Sequence, residues 1–206
     1  LRIREAAYGP EHPEVATCAN NLGDVLRAQG DFASARALFE EALRIDEAVY
    51  GLDHPDVARD VNNLGLVLQA QDNFAGAQAL HERALRIGEA ALGAEHPTVA
   101  TYANNLGDVL RAKGDFAGSR ELLEQALRID EEAYGQAHPD VARDANNLGR
   151  VLEAEGDFAG AQALFERALR IFCAALGDDH PSTKTVRQNL EILLQQMSPG
   201  SDARSP

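Results

Sequence analysis

The sequence predicts an all-α fold, a solenoid of antiparallel helix pairs, on three observations. His-Pro pairs recur at His12, His54, His96, His138 and His180, each 42 residues from the last. Within each interval apolar residues return at spacings of three and four, the period of one helix face. Between the two apolar runs stands a turn, Gly30-Asp31 in the first interval and Gly114-Asp115 and Gly156-Asp157 later. A period of this length means stacked units rather than one closed core, because each unit buries its apolar face only against its neighbours.

The first helix of the unit 12–53 carries Val15, Ala19, Leu22 and Leu26 on one face. Pro13 sits in its first turn, where a missing N–H costs nothing, and Glu14 lies beside the positive helix end. Gly30 stops the helix, since glycine takes positive φ at little cost. Asp31 caps a second helix bearing Phe32, Ala35, Leu38, Phe39, Ala42 and Ile45. In the next unit Gln71-Asp72-Asn73 replaces the Gly-Asp turn, with Asn73 as the cap. Small residues at Gly23, Ala35 and Ala42 let the two helices approach closely, and the short turn makes them an antiparallel hairpin.

The units run 12–53, 54–95, 96–137 and 138–179. Residues 1–11 match the ends of the units, Leu43 to Gly51 and Leu127 to Gly135, and are expected to be the truncated second helix of a preceding repeat. Residues 180–197 have a first helix only and are expected to cap the array. There Glu191 replaces Gly23, Gly65, Gly107 and Gly149, as expected where no second helix crowds the position. The Ser/Pro/Gly-rich stretch 198–206 is expected to be disordered. Over 42 positions units one and three share 30 residues and units two and four share 31, against 25 for units one and two. The array is a doubled two-repeat block, so the chemistry of its faces alternates.

Leu22-Gly23, Leu26, Gly30-Asp31-Phe32, Ala35, Phe39 and Ala42 follow the tetratricopeptide pattern, although Ala19 departs from its usual large residue. The 42-residue period, the Asn-Asn-Leu-Gly run and the Gly-x-x-His-Pro linker resemble the kinesin light chain type of that repeat. The resemblance covers Leu1 to about Gln196 and implies a right-handed superhelical solenoid whose concave groove receives extended peptides, often with an aromatic residue flanked by acidic ones. The heptad coiled coil by which that family joins its motor heavy chain is not in this sequence. Similar 42-residue arrays serve as sensor or recruitment regions of larger bacterial signalling proteins, a context towards which the Ala/Arg/Gly-rich composition tilts the reading.

A second stripe on the first helix, Thr17, Asn20, Asp24 and Arg27, lies away from the core stripe and corresponds to the groove lining of that family. In the later units the groove candidates are Arg59, Asn62 and Gln69, then Asn104, Asp108 and Arg111, then Arg143, Asn146 and Arg150. An asparagine in every unit suits a peptide ligand, because its amide both donates and accepts whatever the ligand's side chains are. Arg59, Arg143 and Arg150 would recognise carboxylates through a planar fork. The neighbouring Asn21, Asn63, Asn105 and Asn147 share a flank with semi-apolar residues and read as structural hydrogen-bonders between units.

The chain holds 19 Lys and Arg against 33 Asp and Glu, a net charge of -14, which disfavours nucleic acid and anionic membrane surfaces as partners. No apolar run approaches the roughly 20 residues that span a bilayer. The two cysteines, Cys18 and Cys173, form no C-x-x-C pair, and their usage fits a reducing, cytoplasmic compartment. Helices pack about 8–10 Å apart, so the repeated histidines lie in loops roughly 20 Å from one another, too far to share an ion. They read as caps, and His81, standing where Phe39 and Phe165 stand, reads as core. No nucleophile–base pair, phosphate loop or carboxylate dyad stands out, so no enzyme activity, cofactor or metal site is expected. The expected function is a protein or peptide-binding scaffold, with end-to-end self-assembly through an open N-terminal edge as the alternative.

Overall fold

The computed structural model describes residues 7–198. Among them are nine helices and no strand: α1 (Pro13–Ala28), α2 (Phe32–Tyr50), α3 (Pro55–Ala70), α4 (Phe74–Leu92), α5 (Pro97–Ala112), α6 (Phe116–Tyr134), α7 (Pro139–Glu155), α8 (Phe158–Leu176) and α9 (Pro181–Met197). The fold is all-α, with sequential helices packed as antiparallel pairs, as the periodicity predicts. The expected structure of residues 1–6 and of the tail from 199 onward lies outside the described residues. The chain divides into two compact units, Leu1–Lys113 and Gly114–Pro206.

Each helix begins as its sequence dictates. The histidine before every His-Pro proline is the N-cap: Nδ1 of His12 accepts the Glu14 N–H at 3.2 Å, and His54, His96, His138 and His180 repeat the bond. Tyr50 stacks on His54 and Tyr134 on His138, with ring centroids 4.3 and 4.4 Å apart, which holds the imidazole in its capping pose. Asp31, Asn73, Asp115 and Asp157 cap the second helices through the N–H three residues on. Where Gly30, Gly114 and Gly156 turn the chain at φ of 82 to 86°, the second repeat carries Asp72 at φ 59°, the only non-glycine residue there in the left-handed region among the described residues. A Cβ costs roughly 1–2 kcal/mol in that conformation.

In the first unit the core forms in layers. Val15, Ala16 and Ala19 of α1 pack on Ala42 and Ile45 of α2. Ala35 and Phe39 then pack forward on Leu64 and Val67 of α3. Val57, Ala58 and Val61 meet Ala84 and Ile87 of α4 and Tyr102 of α5. The second unit repeats this with Leu123, Leu148 and Val151, and with Phe165, Phe172, Val186 and Leu193. Phe39 and Phe165 are fully buried, each worth about 2–3 kcal/mol of apolar burial. A Cβ on Gly23 would stand 2.6 Å from Cε1 of Phe39, and one on Gly149 would stand 2.7 Å from Cε1 of Phe165. Glycine is required there because the aromatic ring lies against the helix backbone. Glu191 of α9, at the equivalent position, is exposed, and no second helix follows it among the described residues.

Candidate functional site

Successive first helices touch one another, α1 with α3, α3 with α5, and α7 with α9, whereas among the described residues the second helices α2 and α4, and α6 and α8, do not. Within each unit the layer therefore curves with first helices on the inside, and the outward stripe of those helices is its inner face. Asp24 lies exposed on that face, and Arg27, Gln69, Asp108, Arg111, Arg143 and Arg150 are half-buried on it. Asp24 and Arg27 pair at 3.4 Å and Asp108 and Arg111 at 2.8 Å. Gln69 Nε2 donates to Asp108 Oδ2 at 2.7 Å, tying α3 to α5.

The asparagines are placed differently from the expectation. Asn20, Asn62, Asn104 and Asn146 are 4, 6, 3 and 9 % exposed, so their amides do not project into a groove. Asn20 Nδ2 donates to Asp60 Oδ1 at 2.7 Å, and Asn20 Oδ1 accepts from Asn63 Nδ2 at 3.3 Å. Asn62 Oδ1 accepts from Asn105 Nδ2 at 2.9 Å, and Asn146 Oδ1 from Asn189 Nδ2 at 2.8 Å. The pattern is a ladder in which the second asparagine of one repeat donates to the first asparagine of the repeat before it. Asn63 and Asn105 are thus the inter-repeat hydrogen-bonders expected of them, and Asn189 is a further rung. Asn20, Asn62 and Asn146 are buried because the next repeat's first helix leans over them, bringing its own amide and, at Asn20, a carboxylate.

Arg59 and Arg143 are also engaged within the chain. Arg59 Nη2 lies 3.1 Å from Asp46 Oδ2 and 3.1 Å from Asp60 Oδ1, and its Nη1 lies 2.6 Å from Asp56 Oδ1. Arg143 makes the same three contacts to Asp130, Asp144 and Asp140, at 3.1, 3.0 and 2.7 Å. Each guanidinium sits on three acids of its own chain, which revises the expectation that these arginines recognise an acidic ligand. Asp46 and Asp60 are 2 and 0 % exposed and lie on the same guanidinium nitrogen, Arg59 Nη2. Burial pushes the Asp60 carboxyl up to about 7, against the opposing pull of Arg59 and Asn20, and raises Asp46 as well. Asp144 and Asp130 repeat the arrangement, with burial lifting Asp144 to about 7. These acid pairs were not among the sequence candidates. Their signal was the alternation itself, Asp46, Gly88, Asp130, Phe172 on the second helices and Asp60, Tyr102, Asp144, Val186 on the first.

His81 is fully buried against Gly65, as core. Its Nδ1 lies 3.1 Å from Asn62 Oδ1, so it donates, and the ring is held neutral because burial lowers its pKa to about 4. Where apolar residues replace the acid pair, at α8 and α9, the inner face opens into a cavity of about 240 Å³. Phe172, Pro181 and Val186 give it apolar walls, and Arg143, Asn146, Ser182 and Thr185 line the rest. Among the described residues no helix is long and apolar enough to cross a membrane, and no cluster of three potential metal ligands occurs.

The family profile described as tetratricopeptide repeat matches residues 1–48, 24–65, 56–132, 99–174 and 140–198. Solved structures of similar fold include the "nearly identical TPR-like repeats" of a Podosopora anserina putative kinesin light chain, at 25% identity and TM-score 0.73 over 89% of this chain and 87% of that one. A single-substitution variant of those same repeats aligns at 24% identity and TM-score 0.72 over 90% and 93%. BtubC (BKLC) from P. vanneervenii shares the fold at 21% identity and TM-score 0.69 over 94% and 86%. No curated protein sequence matches the chain.

Proposed function

The chain belongs to the tetratricopeptide repeat family, generally a protein-interaction module, and from that premise we propose that the inner face binds an extended segment of a partner protein. The observation that carries this reading is the cavity at α7, α8 and α9, which joins an apolar wall to the hydroxyls of Ser182 and Thr185 on the face lined by first helices. A bulky apolar or aromatic side chain fills such a cavity, while neighbouring polar groups hold the segment's backbone. Because Arg59 and Arg143 are matched by acids of their own chain, apolar contact contributes more to this recognition than charge does. Arg27 and Arg111 are likewise paired with Asp24 and Asp108. Cys18 and Cys173 are unbridged and half-buried, which suits a reducing cytoplasm.

The test is selection of peptides from a displayed library on the wild-type chain, followed by titration of the selected peptides against Thr185→Trp. Tryptophan at this exposed position fills the cavity without entering the core. The expected result is binding weakened by about tenfold or more, about 1.4 kcal/mol, with an unchanged helical circular dichroism spectrum. Equal affinity for both proteins overturns the reading.

A second reading, self-assembly, has its own observation. Leu22 and Val25 of α1 are 42 and 52 % exposed, whereas their equivalents Leu64, Val67, Leu106, Val109, Leu148 and Val151 are 0 to 6 % exposed. Sedimentation across a hundredfold range of concentration decides it, since a constant monomer mass removes self-association.

A further inference from the structure

The junctions between repeats alternate between two chemistries, and one of them can titrate. At α2 and α3, Asp46 and Asp60 face each other out of solvent. Oδ1 of Asp46 and Oδ2 of Asp60 are buried and have no hydrogen-bond partner among the described residues, while the opposite oxygens of the two carboxyls share one nitrogen, Arg59 Nη2, at 3.1 Å each. Two buried carboxylates on one cation, each with an unsolvated and unpartnered oxygen, leave charge uncompensated, so burial favours the neutral acid for one of the pair. The remaining oxygens are held from every side: Asn20 of α1 and Arg59 of α3 donate to Asp60 Oδ1, and Arg59 donates to Asp46 Oδ2.

The charges facing the pair are few. Among the described residues Arg59 is the single cation in contact, Asp56 adds a carboxylate beyond it, and His54 stands next to Asp56 at 3.3 Å. From α5 comes the Tyr102 phenol, whose proton is held beyond the range in question, pushed up to about 12 by burial. Asn20 from α1 is neutral. One positive charge therefore faces the two carboxyls of the pair and a third in Asp56, which leaves an excess of negative charge once both acids of the pair ionise. In the second unit Asp130 of α6 meets Asp144 of α7 with Arg143, Asp140 and His138 in the same places.

We propose that these two acid pairs make the packing of α2 on α3, and of α6 on α7, a pH-responsive joint: firm while one carboxyl of each pair keeps its proton, loosened when both carboxyls ionise. The other junctions have no such group. Gly88 there takes the ring of Tyr102, at 2.9 Å from a Cβ built on the glycine, and Phe172 packs with Val186. The array thus carries titrating and inert joints in alternation.

The sign follows from linkage. In the folded chain Asp60 and Asp144 keep a proton to about pH 7, whereas in the unfolded chain an aspartic acid loses it near 3.8. Between those values the folded state binds more protons, so stability falls as pH rises from about 4 to about 7 and levels off above. His81 titrates the other way: it is buried neutral, and its contribution is lost as pH falls from 6.5 through about 4. A single wild-type curve therefore mixes two slopes, and the informative quantity is a difference between proteins.

The experiment is denaturant unfolding from pH 4.5 to 8.5 of the wild-type chain and of Asp60→Asn/Asp144→Asn. Asparagine is the uncharged isostere of the protonated acid, and its carbonyl accepts from Asn20 and Arg59, so the variant keeps the neutral state at every pH. His81 is common to both proteins and cancels. The variant's advantage should be smallest at pH 4.5 and grow as pH rises, and by pH 8 its unfolding constant should have fallen at least about tenfold further below wild type. A difference that does not change with pH overturns the proposal. Should the variant fail to fold, carbon-13 titration of the wild-type aspartate carboxyls decides it. One carboxyl of each pair titrating above pH 6 is the expected result, and all four titrating below pH 5 overturns it.

Discussion

The junction of α2 with α3 and the junction of α4 with α5 are built on the same backbone plan and hold together by different means. The first buries two acids, held by a half-exposed arginine and a buried asparagine amide, at the positions where the second buries a glycine and a tyrosine ring. The second unit repeats the contrast, with Asp130 and Asp144 at α6 and α7 and with Phe172 and Val186 at α8 and α9. The comparison teaches that the repeat fixes where helices meet and leaves open how the contact is satisfied. A polar junction gains directionality from its hydrogen bonds and carries a desolvation cost, whereas an apolar junction gains area and a close fit.

The most severe way to break this comparison is to put one half of the polar solution into the apolar junction. Tyr102→Asp removes a buried ring and leaves a carboxyl facing Gly88, with Thr101 where Arg59 and Arg143 stand in the other junctions. A loss of about 4 kcal/mol is expected in chemical denaturation. The converse exchange sharpens it. Asp130→Phe/Asp144→Val copies the α8–α9 pairing into α6–α7, and because a buried ion cluster is often matched or bettered by apolar packing, stability at pH 7 should rise by about 1–3 kcal/mol. The same variant should lose the second unit's share of the pH dependence, which a repeat of the unfolding series at pH 5 and 8 would read. The smallest effect lies away from the junctions. Asp72→Gly relieves a left-handed residue that the sister turns fill with glycine and should add about 1 kcal/mol, visible as a higher thermal midpoint with no change in pH response.

Much of the fold was legible because it is written locally. The His-Pro period, the capping Asp31 and Asn73, and the glycine at Gly23 each act within a few residues or one hairpin, so helical spacing and turn chemistry suffice to place them. The assignment of His81 to the core followed from comparing it with Phe39 and Phe165. The inner face was only half legible. A helical wheel of α1 shows Asn20 pointing away from its own hairpin, and it contains nothing about α3, whose Asp60 and Asn63 close over that amide. The acid pairs were hidden for the same reason, since Asp46 and Asp60 stand on different helices and aspartates are ordinarily surface residues. The inner arginines looked available because one acid of each trio, Asp46 or Asp130, sits 13 residues upstream on another helix.

The asparagine ladder and the alternating junctions together constrain how such an array can change its length over evolutionary time. The ladder asks the same thing of every repeat, so removing any whole repeat leaves its rungs matched. The junctions ask more. Excision of residues 54–95 would set Asp46 of α2 against Tyr102 of α5, with Thr101 in place of Arg59, a buried acid deprived of both its carboxyl partner and its cation. Excision of two consecutive repeats restores like to like. Recombination within such a gene is therefore filtered for even steps, and the inherited unit of growth is the pair.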